Sequence, residues 1–231
     1  MVDQKELYEK SGGHMRDDIK IDLMGWPKST HSAAIKFVDI NSGDRLLEVG
    51  CGRGLHFKYY LKKTDDVYGL DISKKLLDEM GLKDRVKLFE GNIDDGTKFE
   101  NNFFDVIVMV DVIEHTINRY LVLKELKRIL KKNGRLVIIT PNFMKLKNRI
   151  RFLFGKYPHT AAPVAKGGVD FYDGGHLQYF TFKTLREAIE REGFKVEGEY
   201  GFGRFGKLHN FFKSIMSGSI CMVLKKMGNK T

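Results

Sequence analysis

The stretch LLEVGCGRG at residues 46–54 decides the fold of this chain. Its first residues are apolar enough for a short buried strand. The Gly-x-Gly-x-Gly run that follows forms a turn whose backbone can approach a ligand without interference from Cβ atoms. A dinucleotide fold would require a third glycine at position 55, but that residue is Leu55. The stretch therefore predicts a cofactor loop at the end of a parallel strand and disfavours NAD.

Strand and helix patterns alternate after the glycine loop, at the spacing of a parallel α/β sheet. The run Phe104–Val110 is continuous and apolar enough for a central strand. Val122, Leu126 and Ile129 recur at helical spacing, which predicts a helix that stops at Gly134. Helix caps are predicted at Ser73 and Thr181, and the other strands at 46–49, 66–71, 86–90, 135–140, 194–198 and 219–224.

Composition fits one domain with extensions. The chain has 231 residues, 42% of them hydrophobic, which is enough for one sizeable core and cramped for two. Residues 1–40 are interpreted as an N-terminal helical extension. The irregular segment 142–180 is longer than a plain connector and is interpreted as a lid or substrate cap. Apolar runs are too short for a membrane span and the N-terminus has no apolar signal region, so we expect a cytoplasmic protein.

The net charge and the number of cysteines limit the kinds of partner and site that we expect for this chain. The two cysteines, Cys51 and Cys221, support neither a disulfide framework nor a cysteine-based metal site. The net charge of +10 favours contact with phosphates or anionic lipid headgroups, although surface charge alone produces such values. Between 143 and 156, apolar residues alternate with Lys and Arg as in a basic amphipathic helix. Such a helix either touches an anionic membrane or phosphorylated substrate, or packs its apolar face inward as a lid, which is the favoured interpretation.

Asp71 ends the second predicted strand, one strand away from the glycine loop. At the carboxyl edge of a parallel sheet, a carboxylate in this position can accept hydrogen bonds from both hydroxyls of a ribose. A lone Asp at a strand end is more often a helix cap. Its register with the glycine loop favours the ribose interpretation here.

Together these segments resemble the class I S-adenosylmethionine (SAM)-dependent methyltransferases, in their small-molecule branch (methyltransferase type 11/12-like), from about residue 40 to residue 225. The resemblance implies a Rossmann-like, mostly parallel sheet of seven strands flanked by helices, with SAM as cofactor. The matching segments are LLEVGCGRG at 46–54, VYGLDIS at 67–73, FEGNIDDG at 89–96, FFDVIVMVDVIEH at 103–115, LKRILKKNGRLVIITPN at 126–142 and HLQYFTFKTLREAIEREGF at 176–194.

The resemblance also implies a cofactor site. Glu48 would order the glycine loop and balance the amino group of SAM, and Ile93 would offer its backbone N–H to the adenine. The family commonly has Gly-Asp where this chain has Gly91-Asn92, and either Asn92 or Asp94 can accept a hydrogen bond from the adenine amine. The expected cofactor residues are Glu48, Gly50, Cys51, Gly52, Gly54, Asp71, Ile72, Asn92, Ile93, Asp94 and Asp111.

The implied reaction is an in-line displacement at the methyl carbon, for which the protein supplies alignment and sometimes a base. His115 is the candidate base, because the unperturbed pKa of a histidine lies near neutrality and this residue follows the fourth strand where a crevice opens. Alternatively, His115 only caps or packs against the next helix. Glu114 and Asp111 either contact the cofactor or anchor the loop. Tyr172 and His176, flanked by glycines, are candidate acceptor contacts.

Missing motifs narrow the acceptor class. No Asn/Asp-Pro-Pro-aromatic run follows the fourth strand, which disfavours transfer to base amines. Neither cysteine lies near the fourth or fifth strand, where carbon-5 chemistry on cytosine needs one. No Asp-Asn pair follows Thr140, so we expect no metal. We expect a small-molecule acceptor, lipid-like or anionic in character. An RNA methyltransferase and a non-catalytic SAM-binding partner subunit are the alternatives.

Overall fold

A computed structural model describes residues 5, 21–160, 175–203 and 212–227. At its centre lies a seven-stranded sheet in the order β3-β2-β1-β4-β5-β7-β6. Neighbouring strands from β3 to β5 pair in parallel, and β7 is antiparallel to both β5 and β6. The predicted mostly parallel, seven-stranded sheet is confirmed. The strands are β1 (Leu46–Val49), β2 (Val67–Asp71), β3 (Lys87–Glu90), β4 (Phe104–Val110), β5 (Leu130–Pro141), β6 (Phe194–Phe202) and β7 (Ser219–Lys226).

Helices cover both faces of the sheet, because successive side chains of the central strands point to opposite sides. On one face, Ile107 shares a buried cluster with Leu126 and Leu185. On the other face, Val108 shares a cluster with Ala33 and Phe57. The helices of the described residues are α1 (Thr30–Lys36), α2 (Phe57–Tyr60), α3 (Lys74–Asp78), α4 (Arg119–Ile129), α5 (Leu146–Leu153), α6 (Phe182–Arg191) and α7 (Lys213–Met216).

The predicted helix caps at Ser73 and Thr181 are confirmed. The hydroxyl of Ser73 accepts a hydrogen bond from the backbone N–H of Leu76 at the start of α3. Thr181 and Thr184 form a reciprocal capping box at the start of α6. No helix in the described ranges is long and apolar enough to cross a membrane.

The border between α4 and β5 differs from the prediction. The helix ends at Ile129 rather than at Gly134, and β5 already begins at Leu130. The final helix carbonyls are satisfied from outside the helix, since the amides of Asn102 and Phe103 donate to Arg128 and Ile129. Apolar periodicity could not reveal these long-range bonds.

The segment 142–180 begins and ends beside the sheet. Asn142 and Phe180 form a parallel bridge, which brings the two ends of the segment together. Helix α5 lies within it, and residues 161–174 are outside the described part. The assignment of this segment as a lid and of residues 1–40 as an extension stays a prediction.

Candidate functional site

The glycine loop adopts backbone conformations that favour glycine. Gly50, Gly52 and Gly54 have φ angles of 71°, 50° and 71°. A Cβ atom at Gly50 would lie 2.2 Å from Cγ2 of Val112, so no side chain fits there. The amide of Gly50 donates to the carbonyl of Leu70 at 2.7 Å, which ties the loop to the end of β2. The loop is therefore held tightly between the carboxyl ends of β2 and β4.

Asp71 lies against this loop, as its register predicted. Its carboxylate accepts hydrogen bonds from the amides of Gly52 at 2.7 Å and Ser73 at 2.9 Å. Burial raises the pKa of Asp71, although the bonds from the two amides oppose this. A carboxylate has about four acceptor positions, so acceptor capacity remains for ribose hydroxyls. Ile72, half-buried, separates the two halves of this turn.

Cys51 faces away from the loop's open side. Its side chain is buried, and its Sγ would lie 2.7 Å from a Cβ atom placed on Gly69 of β2. Burial raises the pKa of the thiol well above its ordinary value, and the charges of Asp71 and Glu48 add to the effect. Cys51 is therefore an inert thiol that can offer a ligand only its backbone.

The adenine-loop candidates are held by hydrogen bonds of their own. The side chain of Asn92 accepts from the amide of Asp94 and caps the 3₁₀ turn Ile93–Asp95. The Asp94 carboxylate accepts from the amides of Ile117 and Asn118, just before α4. Asp94 thus anchors the start of α4. The hydrogen bond of the Asn92 side chain, by contrast, lies within its own turn.

A buried chain of polar groups, missed by the sequence analysis, adjoins the loop. His56 Nδ1 lies 2.5 Å from Oε1 of Glu48, and His56 Nε2 lies 3.0 Å from Nδ1 of His31. Burial opposes a charge on His56, but the charge and hydrogen bond of Glu48 raise its pKa. Burial and the charge of His56 lower the pKa of His31 to about 4. These opposite shifts favour a positive charge on His56 over one on His31. The sequence signal that could have revealed this chain of polar groups was a histidine, His56, in an apolar segment directly after the loop.

Two carboxylates at this position have unpaired buried oxygens. Oε2 of Glu48 and Oδ1 of Asp111 have no hydrogen-bond partner. Asp111 has a φ of 51° at the end of β4, and burial raises its pKa to about 6 despite a bond from Thr30 and the charge of His56. Unpaired buried acceptors are costly unless a ligand satisfies them. These two oxygens lie beside the glycine loop and suit a ligand with cationic groups. SAM has two such groups, a sulfonium and an amino group.

The acceptor-side candidates meet at the next turn. The rings of His115 and His176 lie edge to face with centroids 4.7 Å apart. His115 Nδ1 is 3.3 Å from the carbonyl oxygen of Gly175, and His176 Nδ1 is 2.5 Å from the hydroxyl of Thr160. The structure thus brings the predicted base and one predicted acceptor contact together. Tyr172, the other predicted contact, lies outside the described residues.

Glu114 completes this cluster from a fully buried position. Its Oε2 accepts a hydrogen bond from the Thr140 hydroxyl at 2.9 Å, and its Oε1 has no partner. Burial raises the pKa of Glu114 well above its ordinary value, and the charge of Asp111 adds to this. Glu114, His115 and His176 offer ligand atoms within 4.8 Å of one another, a donor set that Zn²⁺ accepts. The expectation of no metal stays a prediction.

Helix α5 does not pack as the lid interpretation expected. Leu146, Ile150 and Leu153 are 49%, 47% and 83% exposed, whereas Asn148 is 1% exposed. The side-chain amide nitrogen of Asn148 donates to the carbonyl of Phe143, whereas its buried Oδ1 has no hydrogen-bond partner. The apolar face of the helix therefore points outward. A sequence pattern shows which residues share a face but not the direction of that face.

The geometry of the candidate site agrees with a comparison of the sequence with known protein families. Residues 27–199 match the model of a methyltransferase domain family. The chain belongs to this methyltransferase family. The resemblance inferred from the motifs is thereby confirmed.

Relatives of this chain differ in the length they share with it. It is 33% identical over 108 residues to sarcosine/dimethylglycine N-methyltransferase from Aphanothece halophytica, covering 43% of this chain and 39% of the relative. It is 25% identical over 221 residues to the ubiquinone/menaquinone biosynthesis C-methyltransferase UbiE from Paraburkholderia xenovorans, covering 84% and 89%. The crystal structure of a SAM-dependent methyltransferase from Mesorhizobium loti matches with a TM-score of 0.64 at 17% identity, covering 86% and 98%. The match spans only 39% and 40% of the first two curated relatives.

Proposed function

We propose that this chain is a SAM-dependent methyltransferase acting on a small-molecule acceptor, lipid-like or anionic. The observation that carries the proposal is the glycine loop flanked by Asp71 on one side and the unpaired carboxylate oxygens of Glu48 and Asp111 on the other. The named activities of two relatives, on sarcosine or dimethylglycine and in quinone biosynthesis, support a small acceptor.

In this proposal the cofactor is held at three points. Asp71 accepts hydrogen bonds from the ribose hydroxyls, and Asn92 and the N–H of Ile93 contact the adenine. Glu48 and Asp111 stabilise the positive charge of the methionine portion. When bound, SAM supplies a methyl group on a sulfonium. The work of the chain is to bind it, orient it and exclude water.

His115 takes the proton in the proposed reaction. Its Nδ1–H donates to the carbonyl of Gly175, which assigns the basic lone pair to Nε2. Bound SAM would supply its methyl group to the nucleophilic atom of the acceptor and leave as the neutral thioether. The proton lost by the acceptor moves to Nε2 of His115. His176, in ring contact with His115, positions the acceptor.

Calorimetry with SAM and with its demethylated product tests the cofactor assignment. We expect both to bind, and absence of binding by either would refute the proposal. The RNA alternative predicts affinity for RNA that falls steeply as salt rises. The non-catalytic alternative predicts cofactor binding with no methyl transfer to any acceptor in a cell extract.

A further inference from the structure

Helix α5 presents an apolar stripe to the outside of the protein. Leu146, Ile150 and Leu153 follow one another at positions i, i+4 and i+7 and are all exposed. Phe154, directly after the helix, is 75% exposed. Contiguous exposed apolar side chains of this size mark a contact surface rather than ordinary protein surface.

Basic residues border this stripe without any acidic neighbour in sequence. Between Glu125 and Asp170 the chain contains no Asp or Glu. Lys147 is exposed, and Arg149 and Arg151 are each held by a hydrogen bond from Nε to a backbone carbonyl, at Met144 and Tyr157. The helix therefore combines an outward apolar face with a run of basic residues that has no acidic neighbour in sequence, which complements a surface that is apolar within and anionic at its rim.

Aromatic contacts extend from Phe152, on another face of α5, towards the acceptor side of the candidate site. The ring of Phe143 lies 5.9 Å from that of Phe152 on α5 and 4.7 Å from that of Tyr179. Two residues before Tyr179, the amide of Leu177 donates to the carbonyl of Glu114, next to His115. A row of aromatic contacts thus runs from α5 to Tyr179, and the backbone bond of Leu177 joins the same segment to the turn that carries His115.

We propose that α5 binds at the surface of an anionic lipid bilayer, with its apolar stripe among the acyl chains and its basic residues at the headgroups. Resting on the proposed function, the inference further assigns the acceptor to the class of membrane-borne amphiphiles, which reach His115 along the aromatic row. An RNA partner would leave the apolar stripe exposed to water. A second copy of α5 would bring like charges together.

Vesicle sedimentation tests the inference with the full chain. We expect binding to phosphatidylcholine vesicles that contain phosphatidylglycerol, and much weaker binding to phosphatidylcholine alone. The double variant Leu153→Ser/Phe154→Ser should lose more than about tenfold in affinity, because two large apolar side chains no longer enter the bilayer. Lys147→Glu should lose about fivefold or more. Met24→Ser, at a side chain that is also 83% exposed, and Lys83→Glu, at an exposed lysine of the turn Lys83–Arg85, are the matched controls and should bind as the wild type does.

Three results would overturn the inference. The first is equal affinity of the protein for both vesicle types. The second is that the Leu153→Ser/Phe154→Ser variant loses self-association rather than vesicle binding. The third is RNA binding that competes with vesicle binding and is unchanged in that variant. Calorimetry with SAM is run on every variant. Normal SAM binding without vesicle binding rejects the membrane contact alone, whereas absence of SAM binding in the wild type rejects the proposed function.

Discussion

Glu48 and His56 join the two ends of the glycine loop through a buried hydrogen bond of 2.5 Å. Glu48 precedes the loop within β1, and His56 follows it immediately before α2. The bond pairs Glu48 with a histidine of raised pKa and satisfies only one of the two carboxylate oxygens of Glu48. The other oxygen remains for a cationic ligand.

Glu48→Gln tests whether one oxygen of Glu48 binds His56 while the other is left for a cationic ligand. The amide oxygen can still accept a hydrogen bond from His56, so the fold should persist, but the charge is lost. We expect the pKa of His56 to fall and SAM affinity to drop by about 1.5–3 kcal/mol, the scale of a hydrogen bond to a charged group. NMR titration of His56 and calorimetry measure the two effects. Asp66→Asn, which alters an ion pair with Arg45 at the opposite end of β2, is the control and should leave SAM affinity unchanged.

Asp71→Ala should reduce SAM affinity by about 2–3 kcal/mol, because it removes the carboxylate that we propose as the acceptor of the ribose hydroxyls. It also leaves the amides of Gly52 and Ser73 without their partner, so the melting temperature should fall as well. Asp71→Asn retains one side-chain acceptor oxygen and should recover part of the stability. Near wild-type affinity in Asp71→Ala would reject the ribose assignment.

SAM affinity should depend on pH through Asp111. Burial raises the pKa of this carboxyl to about 6, and a cationic ligand binds its ionised form. Affinity should therefore be full above pH 6 and decline as the pH falls below it. Calorimetry at several pH values from about 5 to about 8 measures the trend. Asp111→Asn, which tolerates the positive φ, should flatten it. An unchanged slope in this variant would assign the titration to another group.

Stability should also respond to pH through His31. Its pKa is lowered to about 4 in the folded protein, below the ordinary value of 6.5. Between these values the unfolded chain binds more protons, so this contribution to the free energy of unfolding is lost as the pH falls from 6.5 towards 4. Denaturant unfolding of His31→Gln at both pH values should show a smaller loss than the wild type. Equal losses would show that His31 is not the sensor.

His115→Asn should lower the rate of methyl transfer by about 10²–10⁴-fold while leaving SAM affinity intact, as expected for a general base. His159→Asn, at an exposed histidine, is the control. Chelation with EDTA should leave the wild-type rate unchanged. A rate that disappears with EDTA and returns with Zn²⁺ would instead make the cluster of Glu114, His115 and His176 a metal site.

Local patterns predicted most of the fold, and they also predicted the positions of the glycine loop and Asp71 at one edge of the sheet. Each of the strands was recognisable because its apolar run or alternation lies within a few neighbouring residues, and the register of Asp71 with the glycine loop follows from parallel pairing. The acceptor side depends on contacts across about sixty residues, such as His115 with His176, which no local pattern specifies. The same holds for His31 with His56, whose pairing required α1 to lie against the loop.

The position of Val112 beside Gly50 has a mechanical consequence. Its methyl group occupies the space that a side chain at Gly50 would need, and Val112 is also the residue from which the turn carrying Glu114 and His115 begins. The loop proposed to bind the cofactor and the turn that carries His115 are therefore in close contact, and we expect a shift of one to displace the other. An acceptor should encounter a properly aligned histidine only after the cofactor has fixed the loop, which predicts an ordered sequence of binding with SAM first.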